Sequence, residues 1–143
     1  METLIRNSHL FKSLDDEGRM RALLESSLAR FAAGAVILRE GEPGDDFYLI
    51  ADGTVRVETR RGEGTDDSVE LATLGRGAFF GEVAVLTGRP RTATVTAAEE
   101  LLVVVFSRAL VERLLDAYPR VRRLLETMVL GRARDTIEKI SSR

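Results

Sequence analysis

The sequence contains no cysteine. Disulfides, thiolate zinc sites, iron–sulfur ligation and cysteine nucleophiles are therefore excluded together. Histidine is nearly as scarce. His9 stands alone close to the N-terminus, with no acid or nucleophile at motif spacing, so it does not mark a catalytic site. No apolar run approaches the ~18–20 residues that a bilayer-spanning helix needs. Residues 1–14 mix polar and apolar side chains, include Arg6 and Lys12, and lack the apolar centre of a signal peptide. A soluble cytoplasmic protein is the expectation. No nucleophile–base pair, metal cluster or Walker-type loop is visible, so an enzyme ranks last among the function classes.

What remains is an ordinary globular balance over 143 residues, with 44% hydrophobic and 31% charged, enough for one compact domain with one core. The net charge of −2 is unevenly spread. Residues 118–143 carry seven basic and three acidic side chains, against fourteen basic and twenty acidic elsewhere. The basic end would suit an anionic partner, although a solvated helix face with salt bridges is the plainer reading.

Three regions follow one another. Residues 1–30 read as helical: Leu10, Phe11, Leu14, Met20, Leu23, Leu24 and Leu28 recur at roughly helical spacing, with Ser13 or Asp15 as the cap. Residues 31–107 hold short β-rich runs separated by glycine and acidic turns. Asp52-Gly53 is a hairpin signal, residues 54–59 and 69–73 alternate, and residues 101–106 form a continuous apolar strand. Many short strands punctuated by turns point to an antiparallel sandwich, barrel or jelly roll. Residues 108–143 are helical again. Pro119 suits the first turn of a last helix, in which Val121, Leu125, Val129, Ala133 and Ile137 form a stripe that Gly131 interrupts.

The chemistry concentrates in residues 79–97. Gly81-Glu82 breaks an apolar run, leaving a carboxylate among Phe79, Phe80, Val83, Ala84 and Val85. A short helix over residues 82–86 would aim its free N–H groups at one point, and Arg91 would return to that point with a charge-assisted anion contact. A structural Glu82–Arg91 ion pair is the alternative for those two residues. The acidic pairs Asp15-Asp16, Asp45-Asp46 and Asp66-Asp67 sit at turn or cap signals, where Asp is expected for backbone reasons, and no metal is implied. Gly75-Arg76-Gly77 lacks the third glycine of a dinucleotide fingerprint.

The stretch Phe80-Gly81-Glu82-Val83-Ala84-Val85-Leu86, followed by Arg91-Thr92-Ala93-Thr94, resembles the phosphate-binding cassette of cyclic nucleotide-binding domains. The resemblance extends from about residue 10 to 140. It includes Glu40-Gly41-Glu42-Pro43-Gly44-Asp45-Asp46-Phe47-Tyr48-Leu49-Ile50, Asp52-Gly53-Thr54-Val55 and the turn Leu74-Gly75-Arg76-Gly77. It implies an eight-stranded antiparallel jelly-roll β-barrel with an N-terminal helical segment, a cassette over residues 80–94 and two C-terminal helices. It also implies a sensor for cAMP or cGMP, without metal or further cofactor, in which ligand capture moves the last helix.

By the same resemblance Arg91 pairs with the ring phosphate. The amides of Val83 and Ala84, with Thr92 and Ala93, complete the cradle. Glu82 accepts from the ribose 2′-hydroxyl, and Gly81 lets the backbone approach the sugar. Val57, Ala72 and Leu74 line the base side beside Phe80, and Arg132 or Arg134 caps the base. Thr92 leaves cAMP and cGMP both open, with cAMP the commoner ligand. Other readings of the same fold are a ligand-free module that dimerises or meets an effector through the last helix, and a regulatory fragment of a transcription regulator or ion channel. Direct DNA reading is not expected of a chain that stops at Arg143 without a helix-turn-helix.

Overall fold

A computed structural model describes Lys12, Leu14, residues 15–61 and residues 67–141, with side chains omitted at Val85 and over 133–141. Leu10, Phe11, Ser13 and Asp66 lie outside the described residues. Helix α1 spans Asp16–Glu25, and its cap is Asp15, whose carboxylate accepts from the Gly18 N–H at 2.9 Å. The helix stops earlier than the apolar spacing implies. The Ser26 hydroxyl donates to the Leu23 carbonyl at 3.0 Å, and Ser27–Phe31 turns into strand β1. Leu28 therefore belongs to a strand rather than a helix. Register pairing of β1 along the last strand, from Ser27 opposite Val105 to Phe31 opposite Leu101, outweighs the local helical pattern.

The other strands are β2 (Val36–Leu38), β3 (Phe47–Asp52), β4 (Val55–Arg60), β5 (Ser68–Leu74), β6 (Phe79–Phe80), β7 (Thr94–Ala97) and β8 (Leu101–Phe106). They form two four-stranded antiparallel sheets in the orders β1-β8-β3-β6 and β2-β7-β4-β5. This interleaved order is that of a jelly roll, with the eight strands that the resemblance implies. The molecule is two sheets; closure into a barrel is not part of what the strand pairing shows. Asp52-Gly53 makes a turn, with Gly53 at φ 95, but not a hairpin. Strand β3 pairs with β6 and β8 while β4 pairs with β5 and β7, so the turn carries the chain between sheets. Local turn chemistry sets the reversal; long-range pairing decides the neighbours.

Strands β3 and β8 explain the two-layered interior. Phe47, Leu49, Val104 and Phe106 join the helical side, packing with Leu110, Leu114, Val121 and Leu125. Tyr48, Ile50, Leu101 and Val103 point the other way, into a second cluster with Leu38, Val55, Phe80 and Val95. Residues 47–51 of β3 and the whole of β8 read as unbroken apolar runs because side chains on both faces of these strands are buried.

Helix α2 spans Glu82–Thr87. Helix α3 (Arg108–Ala117) is capped by the Ser107 hydroxyl, and α4 runs from Pro119 through Ser141. Gly131 does not interrupt α4. Val121 and Leu125 of its stripe are buried, worth roughly 1.5–3 kcal/mol each. The α3–α4 junction is tied back to α1: Tyr118 donates its hydroxyl to the Asp15 carboxylate and lies over Gly18, where a Cβ would come within 2.7 Å of the ring.

Candidate functional site

The cassette begins on β6, whose register pairs Leu49 with Phe79 and Tyr48 with Phe80. Phe80 stacks on the Tyr48 ring with centroids 4.8 Å apart. The next residue, Gly81, takes the left-handed conformation at φ 89, which an L side chain rarely adopts. A Cβ there would also lie 2.8 Å from the Asp46 carbonyl oxygen. This turn starts α2, and Gly88, also left-handed, ends it by donating its N–H to the Ala84 carbonyl. The expected short helix is present, with Val83 and Ala84 in its first turn, where N–H groups have no partner inside the helix.

Arg91 lies three residues before β7, which begins at Thr94. Its main chain is gripped by the β2–β3 loop: the Arg91 N–H donates to Glu42 O at 2.9 Å, and the Gly41 N–H donates to Arg91 O at 2.8 Å. Its guanidinium donates through Nη2 to Asp46 O at 3.1 Å and through Nη1 to Gly81 O at 3.3 Å. The residue is only 6% exposed. Burial pulls the guanidinium below its usual range, while the Tyr48 hydroxyl, Asp46, Asp45 and Glu82 oppose that shift. Burial likewise pushes the Tyr48 phenol up, helped by Asp46. The outcome is a buried cation whose described hydrogen-bond partners are neutral carbonyls.

Glu82 and Arg91 are not an ion pair. Glu82 is buried and pairs with Arg132 of α4, whose Nη1 donates to Glu82 Oε1 at 2.6 Å and whose Nη2 donates to Phe79 O at 2.8 Å. Arg132, implied as a cap for the base, lines the cavity, and its guanidinium binds α4 to the start of the cassette. The Arg134 side chain lies outside the described residues.

Val57, Ala72, Leu74, Phe80, Gly81, Glu82, Val83, Ala84, Arg91, Thr92, Ala93 and Arg132 all line one cavity, which encloses about 720 Å³ with part of that space open to solvent. Leu38, Leu71 and Val95 line it as well and were not singled out from the sequence. Two of these three follow from register: Leu38 faces Val95, Val95 faces Val57 and Val57 faces Ala72, giving one cross-strand row over four strands. Pairing between distant segments, not local composition, makes that wall. Among the described residues no three His, Asp or Glu side chains gather where a metal ion could sit, and no helix is long and apolar enough to cross a membrane.

Comparison with known proteins adds an independent line. Residues 28–118 match the cyclic nucleotide-binding domain. A cAMP-dependent protein kinase regulatory subunit from Blastocladiella emersonii is 32% identical over 130 residues, which is 90% of this chain and 32% of that protein. The regulatory domain of Toxoplasma gondii PKA, crystallised with cAMP, superposes with a TM-score of 0.84 at 27% identity, over 91% of this chain and 48% of that one. The N-terminal domain of a transcriptional regulator from Streptomyces coelicolor A3(2) superposes with a TM-score of 0.70 at 30% identity, over 94% of this chain and 93% of that one. The chain thus spans about a third of the curated kinase subunit and about half of the kinase structure.

Proposed function

Because the chain belongs to the cyclic nucleotide-binding domain family, we propose that its cavity captures a purine cyclic monophosphate, cAMP ahead of cGMP, and that the chain regulates rather than catalyses. The observation that carries this reading is Arg91: a buried cation that lines the cavity and whose described hydrogen-bond partners are carbonyls. A cyclic phosphodiester brings one negative charge, and a buried guanidinium offsets the cost of taking that charge out of water. The first-turn amides at Val83 and Ala84, with Thr92 and Ala93, sit beside the same space and would complete the cradle. Glu82 would accept from the ribose 2′-hydroxyl with its second oxygen while keeping Arg132. The row Leu38, Val95, Val57 and Ala72, with Leu74, would take the base. No metal and no further cofactor is needed.

The regulatory step is a population shift. Arg132 links α4 to Glu82, so a ligand that grips Glu82 bears directly on where α4 rests. A ligand shifts the α4 equilibrium only by its differential affinity for the two positions. The consumer of that shift is a downstream effector or a second copy engaging α4, in the cytoplasm. The whole protein could be of the kinase-regulatory type or of the transcription-regulator type, since both kinds of relative cover most of this chain.

Calorimetry with cAMP, cGMP and linear 5′-AMP tests the proposal. Binding of a cyclic nucleotide in preference to 5′-AMP is expected. At 100 times the dissociation constant, it should add ~2.7 kcal/mol of stability, or roughly 5–11 °C in melting temperature for a chain of this size. No heat and no melting shift with either cyclic nucleotide would overturn it.

A further inference from the structure

Arg91 has a third neighbour besides the two carbonyls that it reaches. Gly44 lies in the loop between β2 and β3, and a Cβ built on it would stand 2.7 Å from Arg91 Nε, 2.9 Å from Nη2 and 3.1 Å from Cζ. Backbone conformation does not demand glycine at this position. Gly34, Gly41, Gly53, Gly77, Gly81 and Gly88 have positive φ, and Gly44 does not. Alanine is therefore conformationally acceptable at residue 44; what it cannot do is share space with the guanidinium.

The same loop holds the arginine elsewhere along its length. Gly41 and Glu42 bond its main chain, and the Asp46 carbonyl accepts from Nη2. Residues 41–46 therefore surround Arg91 from one side, and Gly44 leaves the slot in which the charged end lies.

We propose that Gly44 is a positioning residue for Arg91, and that its missing side chain sets the direction in which this cation meets an anionic ligand. The claim rests on the reading of Arg91 as the partner of the cyclic phosphate. A methyl group at residue 44 meets the far end of a flexible side chain rather than fixed backbone. The cheapest relief is for Arg91 to swing away, breaking its bonds to the Asp46 and Gly81 carbonyls. The fold is spared, and the geometry of the anion site is lost.

Two alanine variants separate positioning from general strain. Gly34 has φ +87 and open space where its Cβ would be, in a turn that does not line the cavity. Gly34→Ala should lower the melting temperature and leave cAMP affinity within about twofold. Gly44→Ala should do the reverse: melting within about 2 °C of the parent and cAMP affinity reduced by at least ~10-fold. On the ligand-free proteins, the Arg91 Nε–Hε resonance should move and exchange faster with solvent in Gly44→Ala only. An unmoved Arg91 resonance in Gly44→Ala overturns the proposal. So does unchanged affinity in that variant, or an affinity loss in both variants that merely tracks their melting temperatures. Should the parent chain bind neither cyclic nucleotide, the nucleotide reading fails, and the Arg91 resonance still decides whether Gly44 positions the side chain.

Discussion

The lining of the cavity has a charged end, made of Glu82, Arg91 and Arg132, and an apolar wall, the row Leu38, Val95, Val57 and Ala72. The charged end is assembled from the cassette helix, the segment before β7 and the C-terminal helix. Each of its side chains is aimed by directional bonds: Arg132 by Glu82 and Phe79, Arg91 by Asp46 and Gly81. The apolar wall comes from one sheet and owes its continuity to strand register alone. Directional groups discriminate sharply, because a wrong partner leaves a buried polar atom unmatched; apolar surface rewards contact with little regard to identity. The charged end should therefore decide whether a ligand binds, and the wall should add affinity while separating adenine from guanine only weakly.

The largest effect should come from removing the cation. Arg91→Ala is expected to cost ~2–5 kcal/mol of binding, which is roughly 30- to 3,000-fold in affinity by calorimetry. Parent-like binding in that variant would erase the contrast between the two ends. Next in size, Arg132→Ala leaves the buried Glu82 without its cation and should lower stability by ~1–3 kcal/mol in urea unfolding. Adding Glu82→Gln should recover part of that loss, since no buried charge then lacks a partner. A double variant no more stable than the single one would mean that the pair is not energetically coupled.

At the apolar wall, Leu74→Ala should weaken binding only ~5- to 30-fold, from the apolar contact removed. The factor should be the same for cAMP and cGMP, and a large difference between them would show that the wall reads the base after all. The smallest effect lies outside the cavity. The Tyr118 hydroxyl and Gly18 N–H hold the Asp15 carboxyl below its ordinary 3.8, so the stability from this group is full above that value and fades as pH falls through the lowered one. The same bond to Asp15 raises the Tyr118 phenol above 10.0, and its contribution is present below that and fades as pH climbs through the raised value. Tyr118→Phe should flatten both limbs of a melting-temperature profile between about pH 3 and pH 11, leaving nucleotide affinity at neutral pH as it was.

The two ends also differed in how far they could be read in advance. The spacing from Glu82 to Arg91, the short helix and the glycine before it are local, and each appears where it was expected. Val57, Ala72 and Leu74 were legible through resemblance, while Leu38 and Val95 were not, because they join the wall only when β2 and β7 pair. The same limit explains Leu28 in β1 and the turn at Asp52-Gly53, where partners from the far end of the chain override a local pattern. Arg132 was found as a lining residue, and its bond to Glu82 was not foreseen. Nothing near it in sequence shows that its partner, 50 residues away, is the cassette glutamate.

Strand β6 is two residues long, and its two rings lie in separate interiors. Phe79 stacks on Phe47 among the helices, and Phe80 stacks on Tyr48 beside the cavity. Close-packed interiors yield little to local compression. A tilt imposed on one ring would therefore press on the other, because this two-residue strand joins the cavity side to the helical layer.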